Sequence, residues 1–230
     1  IARVAVRRRP VVAIAATGDE LSRPGEARRP GGITASSVYG LLALVEAWGG
    51  APRDLGILPD DIEALSALAR IDADLIVTLG GASVGDADLV RNLPGLSLNF
   101  WKIAMRPGKP VLFGKLGITA LLGLPGNPVS SLICARLFLK PAIAAMLGTP
   151  HREELLTARL STELAANGAR QDYLRATLTL RDGEYWAQAF PVQDSAMLST
   201  LAQADGLVVR PPHDPARREG EKVMVLPLET

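Results

Sequence analysis

The feature that most limits what this chain can fold into is a grammar repeated before residue 150: a short apolar run, a glycine-bearing turn, then a segment with helical period. "PVVAIAAT" (Pro10 to Thr17) is short, rich in valine and isoleucine, and ends in a Gly-Asp turn, so it reads as a buried strand. "SSVYGLLALVEAWGG" places Val38, Leu41, Leu42, Val45 and Trp48 on one helical face. Ser36 or Ser37 is its predicted N-cap and Gly49-Gly50 its stop. "RDLGIL" reads as a strand, and "PDDIEALSALARI" opens with Asp60 three residues before Glu63, a capping box with an Asp cap. "DADLIVTLGGASVGDADLVRNL" and "GITALLGLPGNPVSSLICARLFLKPAIAAMLG" each repeat strand, turn and helix start. This alternation predicts a three-layer α/β/α domain over residues 1–148, with a mostly parallel sheet covered by helices on both faces.

Gly148-Thr149-Pro150 punctuates the chain, and its character then changes. "ARLSTEL", "YLRATLTL", "YWAQAFPV", "GLVVRPP" and "KVMVLPL" are short strand-like segments separated by "ANG" and "RDG" turns. A small all-β, barrel-like domain is therefore predicted for residues 149–230.

Composition narrows the partners. With 230 residues and 48% hydrophobic side chains, the chain can bury roughly 70–75% of its unfolded surface. The formal charge of +1 provides no global field that would draw it to nucleic acid or membrane, so a small molecule fits better. The one cysteine, Cys134, sits in an apolar helical stretch, which excludes an intramolecular disulfide and points to a buried thiol in a cytoplasmic protein. No uninterrupted apolar run is expected to reach the roughly 18–20 residues of a membrane span. No initiator Met precedes Ile1, which suggests a start inside a longer protein.

"GLPGNPVSS" (Gly123 to Ser131) is the most chemically suggestive turn. Asn127 suits the N-cap and Pro128 the first helical position, while Gly126 permits tight backbone. Free N–H groups at a helix start, at the carboxyl end of a strand, are placed where open α/β sheets bind ligands and where anions are favoured. "LGGASVGDAD" (Leu79 to Asp88) has the same design, so the two turns could converge on one anion. One helix terminus contributes roughly 0.3–1 kcal/mol to anion binding, whereas a micromolar ligand needs about 8 kcal/mol. Further cations are required. "WKIAMRPGKPVLFGKL" supplies Lys102, Arg106, Lys109 and Lys115 around a Pro-Gly turn between two predicted strands, either as solvated hairpin charges or as phosphate ligands. Glu20, Asp60, Asp86 and Asp88 follow predicted strands on the same sheet edge. They are either caps and turn residues or carboxylates that share a Mg²⁺ ion with phosphate oxygens.

"TGDEL", "GGASVGDAD", "FWKIAMRPGKP", "FGKL" and "GLPGNPVSS", in this order, closely resemble the molybdopterin molybdenumtransferases, the MoeA-like family that includes the E domain of gephyrin. The resemblance covers nearly the whole chain. It implies an enzyme that inserts molybdate into adenylylated molybdopterin with release of AMP, assisted by Mg²⁺, and a homodimer in the full-length protein. By the same resemblance Glu20, Asp60 and Asp88 are catalytic, and Glu20 and Asp88 hold the metal. Ser83, Lys102, Arg106, Lys109, Pro125, Asn127, Pro128 and Ser130 bind the pterin substrate, and Lys109, Arg175 and Ser195 hold molybdate, while the paired helix-start turns add Gly81 and Gly126 to the expected substrate contacts. Arg106 stands where the family usually has lysine. Ala35-Ser36-Ser37 stands where it commonly reads Asp-Ser-Asn or Asp-Thr-Asn, so a carboxylate and an amide are absent. Family chains also usually carry two further domains before this region. The alternatives are a relative that only binds or adenylylates molybdopterin, and a non-catalytic scaffold. His151 and His213 are the only histidines, and neither is assigned a role.

Overall fold

The computed structural model describes residues 2–28, 30–81, 89–149, 151–152 and 155–228. They form two compact units, Ile1–Ile103 with Pro110–His151, and Ala104–Lys109 with Arg152–Thr230.

The first unit runs β1 (Val11–Thr17), β2 (Leu21–Ser22), β3 (Ile33–Thr34), α1 (Ser36–Ala47), β4 (Ala51–Leu58), α2 (Ile62–Ser66), β5 (Leu75–Leu79) and β6 (Leu96–Trp101). The chain then makes β7 (Met105–Arg106), which belongs to the second unit. It returns through β8 (Leu112–Leu116), β9 (Thr119–Leu124) and one 20-residue helix, α3 (Pro128–Leu147). Strand order is β4-β1-β5-β9-β8-β6. The first four are mutually parallel, and β8 and β6 are added antiparallel at one side. The sheet is thus mostly parallel, as the alternating grammar predicts. β1 is central: Val12 through Ala16 are at most 2% exposed, which is why its sequence is continuously apolar rather than alternating.

Helix α1 lies against β1, β4 and α3. Leu65 of α2 and Leu68 just beyond it pack on Ala15, Ile76, Leu112, Leu116 and Leu121 of the sheet, together with Val90 and Leu93. By length and composition α3 could cross a membrane, with a mean hydropathy of 1.5, contrary to the expectation that no run reaches that size. Half of it is buried inside the protein, and Val129, Ile133, Ala135, Leu139 and Ile143 are core residues. Cys134 is fully buried there, and burial pushes its thiol pKa up.

Three local readings are corrected. The N-cap of α1 is Ala35, with no side-chain cap, so neither Ser36 nor Ser37 serves. Asp61 rather than Asp60 caps α2, accepting from the Ala64 N–H at 2.9 Å. Leu89–Leu93 form turns closed by Asn92 N–H to Leu89 O and Leu93 N–H to Val90 O, so these residues do not open the expected helix.

The second unit contains β10 (Leu156–Leu160), β11 (Gln171–Arg181), β12 (Glu184–Ala189), α4 (Leu198–Ala202), β13 (Gly206–Arg210) and β14 (Lys222–Pro227). The order β12-β10-β14-β13-β11 closes because β11 also pairs with β12, which makes a five-stranded barrel, and β7 adds to β11. Small side chains at Ala158, Ala176 and Ala187 suit so narrow an interior, with Leu160, Val208, Val223 and Val225 filling the rest. The "RDG" turn joins β11 to β12, with Asp182 and Gly183 at φ 48° and 80°. Because β7 pairs with β11, residues 104–109 form part of this unit rather than of the expected 1–148 segment, and the Pro-Gly stretch is not a simple hairpin turn.

Candidate active site

A cleft of about 420 Å³ opens at the carboxyl ends of β1, β5 and β9, within the range typical of small-molecule pockets. Thr17 ends β1, Gly80 and Gly81 follow β5, and Pro125 to Pro128 join β9 to α3. The two turns touch. Gly80 N–H donates to Leu124 O at 3.1 Å, and a Cβ on Gly126 would lie 3.5 Å from the Gly80 Cα. Gly80 and Gly81 adopt φ of 92° and 63°, and a Cβ on Gly80 would sit 2.6 Å from the Thr17 carbonyl oxygen. Only glycine meets both demands.

Two helices begin in this cleft. Asn127 is the N-cap of α3 with Pro128 at the helix start, as the sequence indicates, but the Asn127 side chain makes no cap hydrogen bond. Ala35 caps α1 without any side-chain acceptor, and Ala35, Ser37 and Val38 line the same space. Neither helix has an acidic residue in its first turn. The α1 start at Ala35–Val38 and the α3 start at Asn127-Pro128 therefore both border the cleft, and the positive end of a helix dipole favours an anion.

The acidic rim balances this. Glu20 and Asp60 line the cleft, and Asp60 N–H donates to Asp19 Oδ1 at 3.3 Å. Partial desolvation, then the nearby Asp19 and Glu20 carboxylates, raise the Asp60 pKa above its usual 3.8. A cation shared by these groups would relieve that crowding. Among the described residues, no group of three His, Cys, Asp or Glu side chains is arranged to hold a metal ion.

The cleft thus gathers Glu20, Asp60, Gly81, Pro125, Gly126, Asn127 and Pro128. Ser130 is buried inside α3, 5% exposed. Ser83, Asp86 and Asp88 lie outside the described residues. Lys102 is exposed at φ 60°, its Nζ 3.8 Å from the centroid of the Trp101 ring, and Lys115 is exposed on β8; neither lines the cleft. Arg106, Lys109, Arg175 and Ser195 belong to the second unit. There Lys109 is exposed and Arg106 is paired with the buried Asp172. Arg175 is only 2% exposed. Its Nε donates to Gln193 Oε1 at 3.1 Å and its Nη1 to Asp194 O at 2.8 Å, so the guanidinium braces the loop that carries Ser195.

Sequence reasoning missed Thr17, Thr34, Ser37 and Pro110 as cleft residues. Thr17 was legible in principle as the last residue of a buried strand before a glycine turn. Pro110 was not, because its place depends on where the chain re-enters the first unit.

Fold and cleft together define an open α/β protein with a cleft at its strand ends, the place where such sheets take their ligands. Comparison with known proteins narrows this. Residues 13–145 match the family described as "Probable molybdopterin binding domain", and residues 157–228 match "MoeA C-terminal region (domain IV)". The chain belongs to the molybdopterin-binding-domain family, among its MoeA-like members. It is 36% identical to a molybdopterin molybdenumtransferase of Nostoc sp., over 98% of this chain and 55% of that protein. It is 33% identical to one of Haemophilus influenzae, over 99% of this chain and 58% of that protein. A crystal structure of a molybdopterin biosynthesis MoeA protein from Pyrococcus horikoshii superposes with a TM-score of 0.81 at 28% identity, covering 96% of this chain and 55% of the other. The chain spans about half the length of the curated relatives it matches.

Proposed function

We propose that this chain carries the substrate cleft of a molybdopterin molybdenumtransferase and takes part in inserting molybdate into adenylylated molybdopterin, with release of AMP. The observation that carries the reading is the meeting of two helix starts, neither with an acidic first turn, and the backbone of the Gly80-Gly81 turn in one cleft at the strand ends. Such N–H groups hold phosphate oxygens without a full counter-charge, so the anion is oriented yet can still leave. The names of the relatives supply the pterin, and the rim supplies the metal preference. Glu20 and Asp60 would hold Mg²⁺, which prefers one or two carboxylates plus phosphate oxygens and water. When bound, Mg²⁺ would neutralise phosphate charge beside those carboxylates. The protein's own groups would do the rest: the helix starts fix the phosphate, and Leu21, Ile33 and Val38 give the cleft an apolar side.

Isothermal titration of the 230-residue chain with AMP at low salt tests this reading. Binding should be measurable, tightened by Mg²⁺ and weakened as salt rises. Lys109→Ala tests the proposed molybdate role of that residue, with an expected loss of molybdate affinity of about 10- to 100-fold, the size of one hydrogen bond to a charged group. An AMP isotherm that stays flat with and without Mg²⁺ refutes the cleft assignment.

A further inference from the structure

Two buried threonine hydroxyls in the first unit, Thr17 Oγ1 and Thr78 Oγ1, have no hydrogen-bond partner. Buried hydroxyls in folded proteins are almost always paired, so an orphan calls for a reason. Thr78 is fully buried within β5. Thr17 is different: it is 4% exposed, ends β1 and lines the cleft. Its hydroxyl lies beneath the Gly80-Gly81 turn. A Cβ built on Gly81 would stand 2.9 Å from Thr17 Oγ1, and one built on Gly80 would stand 3.1 Å from it. An unused donor is therefore held against the Gly80-Gly81 backbone that lines the cleft, where the Gly80 N–H is taken by Leu124 O and two consecutive glycines let the peptide between them reorient.

We infer that Thr17 is a positioning residue for the anion: when the cleft is occupied, the Gly80-Gly81 peptide turns so that Thr17 Oγ1 donates to the Gly80 carbonyl oxygen. That hydrogen bond draws the carbonyl away from the anion and leaves the Gly81 N–H facing it. The inference rests on the reading of the cleft as a phosphate site. In the free protein the hydroxyl has nothing to lose, so the bond appears only in the bound state and contributes to affinity rather than to resting stability.

The test compares Thr17→Val, Thr17→Ser and Thr78→Val with the wild type by thermal melting without ligand and by calorimetry with AMP and Mg²⁺. Thr17→Val should melt at or above the wild-type temperature yet bind AMP about five- to tenfold more weakly, the size of one neutral hydrogen bond. Thr17→Ser should restore affinity, and Thr78→Val should bind as wild type because Thr78 does not line the cleft. A purely structural threonine would move the melting temperature and not the affinity. Wild-type affinity in Thr17→Val overturns this inference alone. So does a ligand-free melting temperature several degrees below wild type, since the hydroxyl would then already be bonded. Failure of the wild type to bind AMP overturns the cleft assignment and this inference with it.

Discussion

Gly80→Ala perturbs the cleft at the point where its two turns meet. Two costs add. A non-glycine residue held at φ near 92° carries a backbone penalty of about 1–2 kcal/mol. The new Cβ also lies 2.6 Å from the Thr17 carbonyl oxygen, a backbone atom of the central strand that cannot swing aside. Overpacking of this kind adds about 1–3 kcal/mol. Gly25 separates the two costs: its φ is 86°, but nothing lies within 4 Å of its would-be Cβ. Gly25→Ala should therefore show only the backbone penalty, and Gly80→Ala should exceed it by the contact cost. Urea unfolding followed by fluorescence, in a Trp186→Phe background so that Trp48 and Trp101 report on the first unit alone, measures the difference. Because the Gly80 Cα lies against Gly126, the same shift should displace the α3 start, so Gly80→Ala should also lose AMP binding while Gly25→Ala keeps it. Equal destabilisation by the two substitutions would refute the close approach as the reason for glycine at position 80.

Asp60→Asn should leave stability at neutral pH unchanged or slightly higher. Its folded pKa is raised, so the ionised carboxyl lowers stability as pH rises past the ordinary 3.8, and amidation removes that cost. The same variant should weaken the Mg²⁺ enhancement of AMP binding in calorimetry. Asp214 behaves oppositely. Hydrogen bonds from Arg217 and from the buried Arg210 hold its pKa below 3.8, so its contribution is present above that value and is lost as pH falls through the depressed one. Asp214→Ala should cost the barrel about 3–5 kcal/mol at pH 7, because Arg210 would be left buried without its counter-ion, and acid titration by circular dichroism should show the wild-type advantage disappear. Arg175→Ala should lower the melting temperature of the second unit before any effect on molybdate is read, since the side chain braces Gln193 and Asp194. Unchanged melting with weakened molybdate binding would instead make Arg175 a direct ligand.

The sequence by itself determined the α/β alternation, the change to short strands after Pro150 and the helix start at Asn127-Pro128. These follow from local rules: the buried run at Val12–Ala16, the fixed φ of proline at a helix start, and the Asp-Gly hairpin at Asp182-Gly183. Five ordered motifs also carried the family. What only the tertiary structure decided is where side chains at distant positions finish. Asp60 and Asp61 are neighbours, and no spacing rule says which one caps α2; the fold gives the cap to Asp61 and places Asp60 in the cleft wall beside Glu20. Ser36 and Ser37 look like caps, yet the chain arriving from β3 makes Ala35 the N-cap, which leaves the α1 start without a side-chain cap. The segment Ala104–Lys109 reads as a hairpin between β6 and β8, but a parallel pairing of Met105-Arg106 with Gln171-Asp172 draws it into the barrel unit. Arg175, expected from the resemblance to hold molybdate, is buried on β11 with its Nε donating to Gln193 Oε1, a placement that depends on a loop 18 residues further along the chain. In each case local propensity leaves two placements nearly equal in energy, and contacts between residues far apart in sequence choose between them.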